Sequence, residues 1–344
     1  MVSESRRVIP VRFLLGLALS AAIVLIALAP LFWFRIQTQR AFKGYADSEI
    51  RVHIARGSTV SEIGELLEAK GVIASSSLFR VLVYLNDQAV DLKAGEYEFS
   101  GPASLDDVVE QIRTGRVYYH RVTIPEGLEI PSIAETFVQA QFGTTARFLS
   151  VMRDTSLISD LDPAAKNLEG YLFPETYFLT AGMNETEIVT LMLQNFRRIL
   201  TPENVKRAED LGMTIREVVT LASLIEKETA LDRERPLVAA VFHNRLRRNM
   251  RLACDPTVIY AVKRVKEYDG VINQSDLSLD SPYNTYIYPG LPPGPIANPG
   301  HASIEAALFP AESDFLYFVS RNDGSHTFSK DYRNHSNAVQ RHQR

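Results

Sequence analysis

The chain has 344 residues, of which 46% are hydrophobic and 23% are charged. These fractions are typical of a globular body, and the length allows two domains. The 37 basic and 41 acidic residues leave a formal net charge of −4, which gives no support for a nucleic-acid partner. The single cysteine, Cys254, excludes an intramolecular disulfide.

The first predicted element is a membrane-spanning helix over residues 13–34. This stretch carries no charged residue, and about 20 apolar residues are enough to cross the hydrocarbon core as a helix. Basic residues stand on both sides, so charge bias does not decide the orientation, although the arginines before residue 13 favour a cytoplasmic N-terminus. A cleaved signal peptide is the alternative, since residues 27–29 mimic a cleavage site. Because Pro30 follows directly and the apolar run continues, we expect an uncleaved single-pass anchor.

A short internal repeat follows a polar linker at residues 35–49. Residues 51–57 (RVHIARG) match residues 121–127 (RVTIPEG), 70 positions further along the chain. Each copy is predicted to form a strand, a glycine turn and an amphipathic helix. Ser58 or Thr59 is expected to cap the first of these helices. The repeat indicates a duplicated β–α unit, and two copies are too few for a solenoid.

The first copy has a further interpretation. The strand, glycine, threonine and helix of residues 50–70 resemble a LysM module, a small fold that binds N-acetylglucosamine polymers. A β–α packing unit without a ligand is the alternative, and we favour it for the second copy. Between the copies, alternating residues 94–99 predict a strand, and Ser104 predicts the start of a helix over residues 105–113.

The second half of the chain alternates helices with polar loops. Residues 168–177 are too irregular for one element, and they either line a cleft or bridge two domains. A helix is predicted from Glu185 to Leu200. Residues 221–257 then predict a helix carrying Glu226 and Glu228 at the edges of its apolar face, followed by a second amphipathic helix. A hairpin is predicted from two short strands, 317–319 and 326–328, around an Asn-Asp-Gly turn.

Taken together, these segments resemble the MltG/YceG-like family of endolytic murein transglycosylases. The matching motifs are LEGYLFPETY (168–177), ASLIEKET (222–229), FHNRL (242–246), DPTVIY (255–260), YNTY (283–286), GLPPGPIANPG (290–300) and HTF (326–328). We therefore predict an α+β protein with a cytoplasmic N-terminus (1–12), a transmembrane helix (13–34), a linker (35–49), a LysM-like domain (50–117) and a mixed α+β, YceG-like catalytic domain (118–344) that starts with the second β–α copy.

The resemblance implies a reaction and a location. The substrate is the glycan strand of peptidoglycan, cut at the β-1,4 bond from N-acetylmuramic acid to N-acetylglucosamine. The product is a 1,6-anhydro sugar, and cleavage terminates the elongation of nascent strands. The expected place is the cytoplasmic membrane of a bacterial cell, with the C-terminal domain in the periplasm or outside. Peptidoglycan synthases are possible partners, and no cofactor, metal or nucleic acid is expected.

The catalytic group follows from the family motif. A lytic transglycosylase can work with one glutamate, which first gives a proton to the leaving oxygen and then takes one from the muramic acid C6 hydroxyl. Such a group must be protonated near neutral pH, which an apolar setting favours. Helical periodicity places Glu226 and Glu228 about 200° apart, so it does not choose between them. The resemblance assigns catalysis to Glu226, and one of the two glutamates is expected to be a solvated surface carboxylate.

The predicted substrate contacts are polar or aromatic residues in the matching motifs. They are Glu228, Asn244, Arg245, Asp255, Thr257, Tyr283, Asn284, Thr285, Tyr286 and Asn298. Arginine could bind a carboxylate of the substrate with two hydrogen bonds, or Arg245 could instead pair with Glu228 or Asp255 to hold the fold. Glu169, Glu175 and His326 are weaker candidates for the cleft.

Two functions of other classes make different predictions. A membrane-tethered, non-catalytic glycan-binding scaffold predicts that Glu226 is exposed with no cleft around it. A serine hydrolase needs a serine–histidine pair, and Ser223 lies in no G-x-S-x-G turn between a strand and a helix. A groove around Glu226, lined by residues 283–286 and 290–300, would exclude both.

Overall fold

The computed structural model describes residues 11–86, 88 and 91–343. Most of the predicted cytoplasmic segment, 1–12, lies outside these residues. The chain divides into two compact units. Of the described residues, those within 1–119 and 180–182 form the first unit, and those within 120–179 and 183–344 form the second.

Helix α1, Val11–Gln39, contains the predicted membrane span. Large apolar side chains such as Ile26 and Phe32 are more than two-thirds exposed, and the helix is long and apolar enough to cross a membrane. The helix ends five residues later than predicted. The reason is packing at its polar end, where Arg35 and Thr38 both contact Asp106 in the first unit.

The rest of the first unit is a strand, two helices and a strand, followed by one more helix. The elements are β1 (Ile50–Ile54), α2 (Val60–Ala69), α3 (Ser76–Leu85), β2 (Gly95–Phe99) and α4 (Leu105–Thr114). Strands β1 and β2 are antiparallel, and their inward side chains, including Val52 and Tyr97, join one apolar core. Thr59 and Ser104 cap α2 and α4 through capping boxes, so both predicted helix starts are confirmed.

The second unit begins with the same order of elements. These are β3 (His120–Thr123), α5 (Ile130–Gln139), α6 (Thr145–Val151), a 3₁₀ turn (Thr155–Ile158) and β4 (Thr176–Leu179). Strands β3 and β4 are antiparallel, with Thr123 opposite Thr176. The sequence repeat is therefore a repeat of structure, a strand–helix–helix–strand unit closed by a two-stranded sheet. The segment predicted as a loop, 168–177, is irregular only up to residue 175.

Helices make up most of the remainder of the second unit. They are α7 (Glu185–Ile199), α8 (Pro202–Asp210), α9 (Ile215–Glu228), α10 (Arg235–Arg247), α11 (Asp255–Val262), α12 (Gln274–Leu277) and α13 (His301–Leu308), and after the hairpin β5 (Tyr317–Ser320) and β6 (His326–Ser329) comes α14 (Tyr332–His342). The predicted hairpin is confirmed, with Ser320 opposite His326. The fold is thus a mixed α+β fold with an apolar N-terminal helix.

Helix α9 is the central helix of the second unit. Residues 218–225 are buried on every side of the helix, because α8, α10, α11 and α13 all pack against it. The sequence predicted one apolar face for this helix, and the structure differs because Thr220, Ser223 and Leu224 are buried as well. The polar residues at the C-terminal end of α9 consequently lie where several helices meet.

Candidate active site

The Glu226 carboxylate lies at the C-terminal end of α9, and its side chain is only 7% exposed. Its Oε2 atom accepts hydrogen bonds from the hydroxyl of Ser303 at 2.7 Å and from the backbone N–H of Gly300 at 3.1 Å. Gly300 is the N-cap residue of α13, so the carboxylate lies at the positive end of that helix. A guanidinium N–H of Arg235 reaches its other oxygen at 3.4 Å.

Arg235 is the first residue of α10, and its side chain is almost fully buried. Its Nε atom donates to Ser303 at 3.0 Å. Its Nη2 atom lies 3.4 Å from Glu226 and 3.8 Å from Glu126, and its Nη1 atom pairs with Asp232. A buried cation requires such partners, since an unpaired charge in this position would be strongly unfavourable.

Glu126 brings a second carboxylate to this arginine from the loop after β3. Its side chain is about half exposed. A Cβ atom on Gly300 would lie 1.9 Å from the Oε1 atom of Glu126, so the carboxylate occupies space that only a glycine leaves free. Burial, and after it the charge of Glu226, raises the pKa of Glu126, while Arg235 acts in the opposite direction.

Asn298 fixes the loops that carry these groups. Its side-chain oxygen accepts from the backbone N–H groups of Gly170 and Leu172, both at 2.9 Å. Its amide nitrogen donates to Leu128 and to the carboxylate of Glu169, and its backbone carbonyl accepts from the N–H of Gly127. The hydrogen-bonding capacity of this fully buried side chain is used within the protein.

Two further carboxylates, Glu169 and Glu228, have partners of their own. Burial raises the pKa of Glu169 to about 8, against the backbone N–H of Ile130 that donates to it. The pKa of Glu228 is raised to about 7, mainly by burial and then by the charge of Asp255, against a hydrogen bond with Cys254 and the charge of Arg245. The expectation that Glu226 or Glu228 is a solvated surface carboxylate was therefore wrong, because neighbouring segments cover both edges of α9.

Comparisons with known proteins identify the family of this chain. The family model described as the YceG-like family matches residues 52–341. A Bacillus subtilis protein named endolytic murein transglycosylase is 32% identical over 309 residues, 85% of this chain and 84% of that protein. The chain belongs to the YceG-like family.

Other relatives carry the same description. A Streptococcus pneumoniae (strain D39) protein, also named endolytic murein transglycosylase, is 31% identical over 322 residues, which are 85% of this chain and 58% of that longer protein. The crystal structure of a YceG-like protein from Listeria monocytogenes is 35% identical and superposes with a TM-score of 0.58, covering 85% of this chain and 99% of that one.

Two predicted contacts of the YceG-like motif FHNRL face the protein interior. The side chain of Asn244 is buried and donates to two backbone carbonyls in the segment 313–315. Arg245 donates to the carbonyls of Leu316 and Leu252, both at 2.6 Å. For Arg245 this favours the alternative in which it holds the fold, although it does so through carbonyls. Substrate contact by Asn244 stays a prediction, and in this structure its amide binds the backbone.

Four of the predicted contacts in the later loops are also buried. Thr257 and Thr285 face each other with their hydroxyls 2.9 Å apart, and Thr285 also accepts from the N–H of Cys254. The Asn284 amide donates to two backbone carbonyls, at 3.1 and 2.9 Å. With Asn298, these side chains are at most 1% exposed. Their polar atoms bind other groups of the protein, and their contact with substrate stays a prediction.

Asp255, Tyr283 and Tyr286 remain accessible. The hydroxyl of Tyr286 donates to Asp255 at 2.5 Å, and the ring of Tyr283 lies 4.9 Å from that of Tyr260. The segment 283–286 is thereby joined to the start of α11. Of the two loops expected around Glu226, the one ending at Gly300 contacts it, whereas 283–286 contacts the region of Cys254 and Asp255.

Several residues of the site were missed by sequence reasoning. They are Glu126, Asp232, Arg235, Gly300 and Ser303, all within the cluster around Glu226. One signal was present for Glu126, since the second repeat copy has this acid where the first copy has Arg56, immediately before the shared glycine. Arg235 lies within a run of mixed charges that gives no indication of burial. Ser303 lies in an ordinary helical stretch.

His326 contributes indirectly. Its backbone N–H donates to the buried carboxylate of Glu234 at 3.1 Å, and its Nδ1 atom lies 2.7 Å from the same carboxylate. Glu234 directly precedes Arg235 at the start of α10. The HTF motif on β6 therefore fixes the helix end that presents Arg235 to Glu226.

Proposed function

We propose that this protein is a membrane-anchored endolytic murein transglycosylase. It cleaves the bond from N-acetylmuramic acid to N-acetylglucosamine within glycan strands and leaves 1,6-anhydro-N-acetylmuramic acid ends. The observation that carries the proposal is the Glu226 carboxylate, buried in a YceG-like domain beside Arg235 and Ser303. The names of the two relatives support the substrate and the reaction.

Glu226 performs both proton transfers in this mechanism. In its protonated form it gives its proton to the glycosidic oxygen as the bond to C1 of the muramic acid breaks. The carboxylate that results takes the proton of the C6 hydroxyl, whose oxygen closes onto C1. No water is consumed, and Glu226 returns to its starting state. Hydrolysis would instead require a second carboxylate to activate water or to act as the nucleophile.

The surroundings of Glu226 suit the second of the two transfers, because donors to a carboxylate favour its ionised form. Ser303, Gly300 and Arg235 donate to the carboxylate, so they hold the group in one orientation between the two transfers. Asp255, Tyr283 and Tyr286 are the accessible polar and aromatic residues that remain candidates for contact with sugar rings. Glu228, Arg245 and the buried polar residues are proposed to position the loops.

The alternative functions have less support. A non-catalytic scaffold predicted an exposed Glu226, but its side chain is 7% exposed. A serine hydrolase requires a free hydroxyl. The hydroxyl of Ser223 is fully buried, where it donates to the carbonyl of Thr220 and accepts from the N–H of Ile296.

The first test is the substitution Glu226→Gln. It keeps the size of the side chain but removes the acid and base, whose loss typically costs about 10²–10⁴-fold in rate. Release of fragments from purified glycan strands should fall by at least about 10²-fold, while circular dichroism should remain that of the wild type.

Glu228→Gln is the matched control, two residues further along the same helix. It removes a carboxylate of raised pKa that lies beside Cys254, away from the proposed chemistry, so it should keep more activity than Glu226→Gln. Full activity of Glu226→Gln together with loss in Glu228→Gln would move the catalytic role to Glu228.

The location is proposed from α1. We place residues 35–344 outside the cytoplasm, because the helix is apolar and exposed and the substrate lies there. An enzyme anchored at that surface would meet strands while synthases still extend them, so its cleavage would end their growth. A reporter enzyme fused to the C-terminus should be active only in the envelope compartment. A mature protein that begins near Pro30 would contradict the uncleaved anchor.

The first β–α–α–β unit is proposed to be LysM-like and to hold glycan near the site. The paired strands β1 and β2 and the two helices between them support this assignment. Deleting residues 50–117 should raise the KM for long strands and leave the kinetics on short glycan fragments unchanged, because only long strands reach a second site. Unchanged kinetics on long strands would reduce the region to a spacer.

A further inference from the structure

We propose that a cavity beside Glu226 binds the peptide that the muramic acid of the substrate carries, through a carboxylate of that peptide. This peptide subsite lies in the second unit, between the start of α5, the end of α6 and the end of α11, and it encloses about 540 Å³. The inference deepens the proposed function and rests on it. It gives the protein a preference for glycan strands that carry peptides over strands without them.

Positively charged side chains line the peptide subsite. Arg153 follows α6, Lys263 and Arg264 follow α11, and all three residues are exposed. The carboxylates of Glu129 and Glu169 line the same cavity. Lys263 pairs with Glu129 at 2.5 Å, so the positive charge that faces a ligand is that of the two arginines. A ligand that carries a carboxylate complements this charge.

Glu169 does not cancel the charge of the arginines. Its carboxylate accepts from the backbone N–H of Ile130 and from the amide of Asn298, so its oxygens are used within the protein. Burial raises the pKa of Glu169 to about 8, which favours the neutral form near pH 7. Even when Glu169 is ionised, three cations and two carboxylates line the cavity.

Arg153 is the arginine that is available to a ligand. Its guanidinium makes no hydrogen bond or ion pair with any residue that the structure describes. Arg264, in contrast, donates to the hydroxyl of Tyr260 at 2.6 Å and lies 3.8 Å from the centre of that ring. A guanidinium can bind a carboxylate with two parallel hydrogen bonds. We therefore assign recognition of the carboxylate to Arg153 and a supporting positive charge to Arg264.

The size and lining of the cavity suit a peptide. A volume of about 540 Å³ lies within the range of about 300–1,000 Å³ that is typical of pockets for whole small molecules. The lactyl carboxylate of muramic acid would fill only a small part of it. The lining also combines apolar surface, from Leu149 and Tyr260, with the polar side chains of Ser132 and Asn167. A short peptide presents both kinds of surface.

The peptide subsite lies within reach of a sugar bound at Glu226. Glu129 comes two residues after Gly127, and a Cβ atom on Gly127 would lie 3.4 Å from the Cγ atom of Glu226. On the opposite loop, Asn298 binds the cavity wall and precedes Gly300 by two residues, and the N–H of Gly300 donates to Glu226. Two residues of chain span at most about 7 Å. The peptide branches from the muramic acid whose C1 bond breaks at Glu226, so it can enter the cavity.

The test compares two substrates that differ in the peptide. One is purified glycan strands with their peptides, and the other is the same strands after an amidase has removed them. In Arg153→Gln the KM for peptide-bearing strands should rise about tenfold, because a charge-assisted hydrogen bond is lost. The kcat should stay that of the wild type, since Glu226 is unchanged. The KM for peptide-free strands should not change.

Two further variants separate a specific contact from general charge. Arg153→Lys keeps the charge but loses the planar fork, so it should restore part of the KM for peptide-bearing strands. Arg198→Gln removes the same charge from an exposed position on α7. It is the matched control and should leave the KM of both substrates unchanged, while circular dichroism confirms that each variant is folded.

Two results would overturn the inference. A KM that stays unchanged for both substrates in Arg153→Gln would show that no peptide binds there. A KM that rises equally for both would place the contact on the strand itself, such as the lactyl carboxylate that peptide removal frees. Failure of the proposed function would look different, since it would appear as retained activity in Glu226→Gln, which does not involve Arg153.

Discussion

The ion pair between Arg235 and Glu226 is the interaction on which the site depends. Both side chains are less than a tenth exposed, and removing one partner of a buried pair commonly costs about 3–5 kcal/mol because the other charge is left unpaired. Helix α10 supplies the cation, α9 the carboxylate, and the start of α13 adds two donors. The relative positions of three helices therefore depend on contacts with the one carboxylate of Glu226. The buried pair of His326 and Glu234 fixes the same end of α10.

The second copy of the duplicated β–α unit contributes residues to this arrangement. In the second copy, the turn after β3 carries Glu126 and Gly127, and Gly127 binds the backbone of Asn298. Asn298 in turn joins the segment before β4 to the same turn. The second copy was expected to be a packing unit without a ligand, and it is the copy that reaches the site. The first copy has an apolar core of its own.

Local signals made much of the fold predictable. Thr59 and Ser104 cap helices where the sequence indicated, and the turn at residues 322–324 closes the predicted hairpin. The site was less accessible to prediction. A polar residue such as Asn298 has the same local sequence whether its side chain faces a sugar or backbone amides. Which of the two it contacts depends on the distant segments of the chain that pack beside it. The need for glycine at Gly300 likewise depends on Glu126, which approaches from a distant segment of the chain.

The central claim is that Glu226 alone catalyses formation of the 1,6-anhydro ring, without consuming water. The most direct measurement is mass spectrometry of the fragments released from purified glycan strands by the wild-type protein in heavy-oxygen water. The account predicts strands that end in 1,6-anhydro-N-acetylmuramic acid, with no reducing ends and no label. Labelled reducing ends would show that water attacked C1, and the protein would then be a hydrolase.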